Sequence, residues 1–163
     1  MPQNELLVNA LQGDLAFLQN HLGDMSDADL VQRPVPKANT GLWQIGHLIS
    51  SEAHMVNQCA GKTVIELPAG FADRYKRETA SVDDPAKLGN KGDLLPLLQK
   101  VRGQTCQWVG SLTPADMSKP APESMRKMFP TVGNLVYLLP CHGAMHIGQI
   151  QVLRRKLGKP ILF

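Results

Sequence analysis

The stretch VGNLVYLLPCHGAMHIGQIQVLRRKLG, from Val132 to Gly158, indicates the fold most clearly. Its leucine and isoleucine residues recur at steps of three and four, which is the period of an amphipathic helix. Gly158 and Pro160 then follow in the order that commonly ends a helix. The stretch therefore predicts one long helix from about Val132 to Leu157.

Three earlier stretches have the same apolar period. They run from about Gln3 to His21, from Thr40 to about Ala60, and from about Gly92 to Ser111. Thr40 is suited to capping the second of these helices, because a threonine hydroxyl accepts from free backbone N–H groups. No segment alternates apolar and polar residues, as a half-buried strand would. The sequence therefore predicts an all-α fold.

The connections predict how the helices are arranged. Residues 23–40 and 112–131 are rich in proline and turn residues, whereas Gly61 to Lys91 is unusually long for a compact domain. Such a connection can return along the whole bundle, so that helix three runs parallel to helix two. We expect one domain over residues 1–163: a four-helix bundle in up-down-down-up order, with a long crossover between helices two and three. Part of the crossover, around Phe71 to Thr79, is expected to form a short helix.

Composition argues against several classes of function. The net charge is only +3, and the basic residues are scattered apart from the cluster at 154–156, so we expect no nucleic-acid binding. No window approaches the ~18 apolar residues of a membrane span, and the N-terminus lacks the pattern of a secretory signal. Cys59, Cys106 and Cys141 form an odd, widely spaced set, which is typical of a reducing cytoplasm.

Three histidines suggest a metal site. His142 and His146 are four residues apart, so both imidazoles project from one face of the predicted helix. Alone, such a pair is more often two hydrogen-bonded or solvent-facing histidines than a metal site. His47, placed among apolar residues of helix two, is expected to point inward as well. Together the three would form a facial triad that leaves coordination positions open, as catalytic metal sites do.

The fourth helix also contains residues that disfavour helix. Pro140 lacks an N–H and should kink the helix. Gly143 and Gly148 each cost about 1 kcal/mol of helix propensity relative to alanine. Their grouping suggests a site or a close helix contact at this position.

Four further residues are candidates for the surroundings of the metal. Gln149 could orient a ligand imidazole or face solvent, and Trp43 could line a pocket or belong to the core. His54 shares the face of His47 but lies roughly 10 Å further along the helix, where a surface position is favoured. Glu52 is the single acidic residue of helix two and a candidate for proton transfer. No residue is assigned as catalytic.

Two motifs resemble a known family. One is GHLI-x-x-E at 46–52, and the other is H-x-x-x-H-x-G-Q at 142–149. Both are similar to motifs of the DinB-like (DinB/YfiT) superfamily of metal-dependent enzymes. The resemblance implies a four-helix bundle, often dimeric, with zinc, nickel or iron held by His47, His142 and His146. It also implies activities that include hydrolases and thiol-dependent transferases and isomerases, which use small thiols such as bacillithiol or mycothiol.

The expected function is that of a metal-dependent enzyme acting on a small molecule, with thiol-dependent S-transfer ahead of hydrolysis. The scarcity of acid and base groups favours S-transfer, because a thiolate on the metal needs no base once it has formed. A non-catalytic module that binds a metal or small ligand is the alternative. A symmetric homodimer is also expected, with the apolar residues Met125, Met128 and Phe129 as candidate contacts.

Overall fold

A computed structural model describes residues 1–162 and is all-helical over this range apart from one isolated bridge between Pro120 and Thr131. Its four long helices agree with the predicted segments to within one or two residues. They are α1 (Gln3–Leu22), α2 (Gly41–Ala60), α3 (Lys91–Ser111) and α4 (Val132–Lys156).

Side-chain caps explain where three of these helices begin. The side chains of Thr40, Asn90 and Thr131 each accept from a backbone N–H in the first turn of α2, α3 and α4. At its other end, α2 stops at Gly61, whose φ of 64° lies in the left-handed region that glycine adopts without strain. The α4 helix continues through Pro140.

The long helices form one core. Both α1 and α2 pack against α3 and against α4, and buried leucine, isoleucine and valine side chains of all four meet between them. In the described range, no helix combines the length and the hydrophobicity that crossing a bilayer requires.

Hydrogen bonds near the helix ends connect α1 with its neighbours. Lys91 at the start of α3 donates to the Leu22 carbonyl at the end of α1, at 3.1 Å. Asn4 at the start of α1 donates to the carbonyl of Gly110 near the end of α3, at 2.9 Å. Arg154 near the end of α4 donates to the His21 carbonyl, at 2.7 Å. The end of α1 therefore lies beside the start of α3 and the end of α4.

The long connection between α2 and α3 lies against the bundle. It contains the expected short helix at Phe71–Arg74, followed by the 3₁₀ turn Arg77–Thr79 and the helical turn Pro85–Leu88. Tyr75 is its buried anchor, because its hydroxyl donates to the Leu88 carbonyl at 2.6 Å and its ring covers α2.

Among the apolar residues of the connection between α3 and α4, Met125 and Phe129 are half-buried, and Met125 packs against the core. Met128 alone of the three candidate dimer contacts is strongly exposed, at 77%.

Candidate metal centre

His47 is positioned by the crossover segment. A Cβ on Gly46 would come within 2.3 Å of the Tyr75 ring, so the glycine allows this tyrosine to lie directly on α2. The Tyr75 carbonyl thereby comes within 3.2 Å of His47 Nδ1. A carbonyl can only accept, so Nδ1 carries the proton and the lone pair of His47 is on Nε2.

Trp43 supports the same imidazole from its other side. The two rings are stacked, with centroids 4.7 Å apart and planes inclined by 9°. Trp43 is itself only 3% exposed, and its indole N–H donates to the Thr79 hydroxyl at 3.2 Å. This tryptophan therefore belongs to the core and also fixes the orientation of the His47 ring.

His146 is oriented by Gln44, a residue that the sequence analysis missed. Gln44 is fully buried, and its amide nitrogen donates to the Asn39 carbonyl at 3.1 Å. The amide oxygen is consequently turned toward His146 and accepts from Nδ1 at 3.0 Å. The lone pair of His146 is then on Nε2. The available sequence signal was the position of Gln44, three residues before His47 and on the same face of α2.

The three imidazoles converge on one point. Their ring centroids are 4.8–5.5 Å apart, and one nitrogen from each lies within 4.8 Å of the other two. Nε2 of His142 and Nε2 of His146 are 3.2 Å apart. Two imidazoles bound at ~2.0–2.1 Å to one tetrahedral ion would place their nitrogens about 3.3 Å apart, so the pair has the spacing of shared ligands.

The environment keeps these histidines neutral. Burial lowers the pKa of His142 to about 4 and that of His146 to about 3, and repulsion among the three imidazoles contributes to both. Burial also lowers the pKa of His47. Neutral imidazoles are the form that binds metals, so the site is ready to accept a cation at neutral pH without losing protons.

Glu52 is engaged elsewhere in the core. Arg102 of α3 lies between Glu52 of α2 and Asp14 of α1, with contacts of 2.9 Å to both carboxylates, and all three side chains are buried. Gly143 of α4 covers this network, since a Cβ there would lie 2.1 Å from an Asp14 oxygen. The glycine that looked unfavourable in the sequence thus makes room for a buried carboxylate.

The two remaining candidates, Gln149 and His54, differ in exposure. Gln149 is half-buried and, within the described residues, makes no hydrogen bond, while His54 is exposed. In residues 1–162, His47, His142 and His146 form the one cluster of at least three potential metal ligands.

Comparison with known proteins identifies the family. The sequence profile of the DinB superfamily matches residues 10–150, which include all three histidines. No curated protein gives a significant match. Among solved structures, YfiT from Bacillus subtilis is similar with a TM-score of 0.70 and 20% identity, covering 96% of this chain and 89% of that one. YfiT is described as "a probable metal-dependent hydrolase with an unusual four-helix bundle topology". This chain belongs to the DinB superfamily.

Proposed function

We propose that the protein is a metal-dependent enzyme that holds one divalent transition ion through His47, His142 and His146. The observation that carries the proposal is the convergence of three neutral imidazoles, two of which have Nδ1 engaged by hydrogen-bond acceptors. That arrangement directs Nε2 of His47 and His146 toward the common point. The donor set suits zinc, nickel or iron, which accept imidazole ligands readily.

The chain's own residues would prepare the site. Gln44 holds His146, and the Tyr75 carbonyl holds His47, in the tautomer that the metal requires. Trp43 also limits rotation of the His47 ring by stacking on it. Three neutral ligands leave the charge of a dication uncompensated, so the open side should attract an anionic or thiol-bearing small molecule. When bound, such an ion supplies Lewis-acid chemistry and lowers the pKa of a coordinated water or thiol.

Hydrolysis and thiol transfer are the two reactions we consider. The description of YfiT as a metal-dependent hydrolase supports hydrolysis. The engagement of Glu52 by Arg102 favours S-transfer from a low-molecular-weight thiol, because it leaves the histidine cluster without a carboxylate as general base among the described residues. If the protein binds metal but neither reaction occurs, it is a binding module.

Metal analysis of protein purified without a histidine tag tests whether the protein binds a metal. We expect one ion per chain. Activity is then measured with the metal-free and metal-loaded protein. One set of assays uses activated esters and amides, and a second set pairs small thiols with electrophiles. Metal-dependent turnover in one set assigns the reaction. Loss of the metal in His142→Ala but not in His54→Ala would show that the triad binds the metal, since His54 is exposed.

We further infer that residues 1–163 form one domain in up-down-down-up order, with residues 61–90 as the crossover. The contacts of Asn4 with Gly110 and of Lys91 with Leu22 support antiparallel α1 and α3. The contact of Arg154 with the end of α1 supports parallel α1 and α4. We also propose a cytoplasmic location, which the three unpaired cysteines of the described range support.

A symmetric homodimer completes the proposal. Its support is the membership of the superfamily and the presence of several large, exposed apolar side chains among the described residues.

A further inference from the structure

The outer sides of α1 and α4 form one apolar surface, which we call the α1/α4 face. Leu6 of α1 and Tyr137 of α4 line the same cavity of about 430 Å³, so the two stripes adjoin. The larger side chains of the face are 49–63% exposed. The face consists of Leu6, Ala10, Gly13 and Phe17 on α1, and of Tyr137, Ala144, Met145, Gly148 and Val152 on α4.

The face is free of charge along almost its whole length. Residues 132–153 contain no Asp, Glu, Lys or Arg, although 17 basic and 14 acidic residues occur in the chain. Residues 6–20 contain a single charged residue, Asp14, which is buried on the opposite side from solvent. A solvated helix face normally carries charged residues, so this surface has the composition of an interface.

Two glycines of the face are unexplained by contacts within the chain. Around the position where a Cβ would lie on Gly13 or Gly148, no atom of the described residues lies within 4 Å, apart from the chain neighbours and the backbone of the glycine's own helix. Each glycine nevertheless lies inside a long helix, where it costs about 1 kcal/mol relative to alanine. Gly143 is different, because Asp14 occupies its space from within. Gly13 and Gly148 would instead allow a backbone to approach from outside.

We propose that the α1/α4 face binds a second copy of this chain, with the two copies related by a two-fold axis and their helices antiparallel. The proposal assigns a surface to the homodimer proposed above and rests on it. Exposed large side chains alternate with small ones on the face, so two copies can interdigitate. A charge near the axis would meet its own copy, and the charge-free centre avoids this repulsion.

The ends of the face and its size support the same occupant. Glu5 at the start of α1 and Arg155 at the end of α4 have opposite charges, and antiparallel packing brings the acidic end of one copy toward the basic end of the other. Two helices of about 20 residues, each ~10 Å wide, present roughly 600 Å² of flat area, which approaches the ~800 Å² per partner of a standard interface.

Sedimentation velocity across micromolar concentrations tests the assignment. We expect the wild-type protein to be a dimer with or without metal. Ala10→Glu and Val152→Glu should be monomers that retain the helix content of the wild type, because both positions are exposed on their helices. Met128→Glu, a change on the exposed connection before α4, should remain a dimer.

Glycine variants provide a second test that adds no charge. Gly13→Ala and Gly103→Ala both place a methyl group where, among the described residues, only backbone of the same helix lies within 4 Å. We expect Gly13→Ala to raise the dimer dissociation constant about tenfold or more, and Gly103→Ala, on α3, to leave it unchanged. Equal dissociation constants for the two would contradict close approach at Gly13.

The possible outcomes distinguish an error in the predicted dimer from an error in the predicted interface. A wild-type protein that is monomeric at all concentrations overturns both proposals. A dimer that persists in Ala10→Glu and Val152→Glu but dissociates in Met128→Glu overturns only the face and assigns the contact to the α3–α4 connection. Neither result bears on metal binding, which is measured separately as ions per chain.

Discussion

The amide group of Gln44 is oriented by two hydrogen bonds, one to Asn39 and one to His146. Because the amide nitrogen donates to the Asn39 carbonyl, the amide oxygen faces Nδ1 of His146. Replacement by alanine removes this acceptor and frees the imidazole to change tautomer and rotate. We expect Gln44→Ala to weaken zinc binding by about 10- to 100-fold, as loss of an outer hydrogen-bond partner does at other sites.

Competition with a chelator of known affinity measures this change. Gln44→Glu keeps an oxygen acceptor and should bind zinc more tightly than Gln44→Ala. Gln149→Ala is the matched control, because Gln149 lies on the ligand helix but makes no hydrogen bond in the described structure. Equal losses for Gln149→Ala and Gln44→Ala would show that Gln44 has no special part in the site.

The buried imidazoles also predict how stability depends on pH. In the unfolded chain each histidine has an ordinary pKa near 6.5, whereas burial lowers the pKa of His142 to about 4 and of His146 to about 3. Between these values the unfolded state binds protons that the folded state does not. The free energy of unfolding of the metal-free protein should therefore fall as the pH decreases from 6.5 toward 4.

Urea denaturation at pH 7.5 and pH 5 tests this dependence, with a lower midpoint expected at pH 5. The pKa of Asp14 is raised by burial, which acts in the opposite direction, so the histidine contribution must be isolated. His142→Asn removes one of the titrating groups and should reduce the difference between the two midpoints. The same difference in variant and wild type would mean that the triad does not cause it.

At the scale of helices, the buried network of Asp14, Glu52 and Arg102 joins α1, α2 and α3. Arg102 also donates to the Leu11 carbonyl. Its guanidinium therefore contacts a side chain and a backbone carbonyl of α1 and a side chain of α2. Arg102→Met keeps much of the volume but leaves two buried carboxyl groups without their cation. We expect a loss of about 3–5 kcal/mol in the free energy of unfolding, the usual cost of breaking a buried ion pair.

Lys119→Met offers a matched control, because Lys119 pairs with Asp116 at the surface. That variant should leave the urea midpoint nearly unchanged, since exposed ion pairs contribute little. A combined Asp14→Asn, Glu52→Gln and Arg102→Met variant should recover part of the loss, because it buries no unpaired charge. Unaltered stability in Arg102→Met would mean that the network is not needed to hold the three helices.

Helix bounds and the pairing of His142 with His146 could be predicted from sequence because both depend on local spacing, whereas His47 was added from its apolar neighbours and the family resemblance. Apolar periods gave all four long helices, and the i, i+4 relation of His142 and His146 follows from the helix itself. Gln44 and Tyr75 were missed as supports of the imidazoles. The contribution of Tyr75 is a backbone carbonyl that has no side-chain signature, and the Gln44 contact joins residues 102 positions apart.

The ion pair of Glu52 with Arg102 could not be predicted from the sequence either. An acidic residue five positions after His47 suggests proton transfer when only its own helix is considered. The arginine that neutralises it lies 50 residues later, on a different helix. Which charge pairs with which carboxylate is decided by the packing of three helices, and a pattern within one helix does not contain that information.

For the whole molecule, metal binding should raise thermal stability without creating the fold. The core is formed by apolar side chains of all four long helices, so the metal-free protein should retain its helices. An ion that binds only the folded state stabilises it by about 2.7 kcal/mol at a concentration 100 times its dissociation constant. For a domain near this size, that corresponds to a rise of roughly 5–10 °C in Tm.

Differential scanning calorimetry with and without zinc measures this rise. His146→Ala should unfold at nearly the same temperature with and without the ion, because it removes the most buried of the three ligands. His54→Ala should show the full rise, because His54 is exposed and lies outside the cluster. A metal-free protein without helical circular dichroism would contradict this account, since the ion would then be required for folding. A rise that persists in His146→Ala would instead mean that zinc binds elsewhere in the chain.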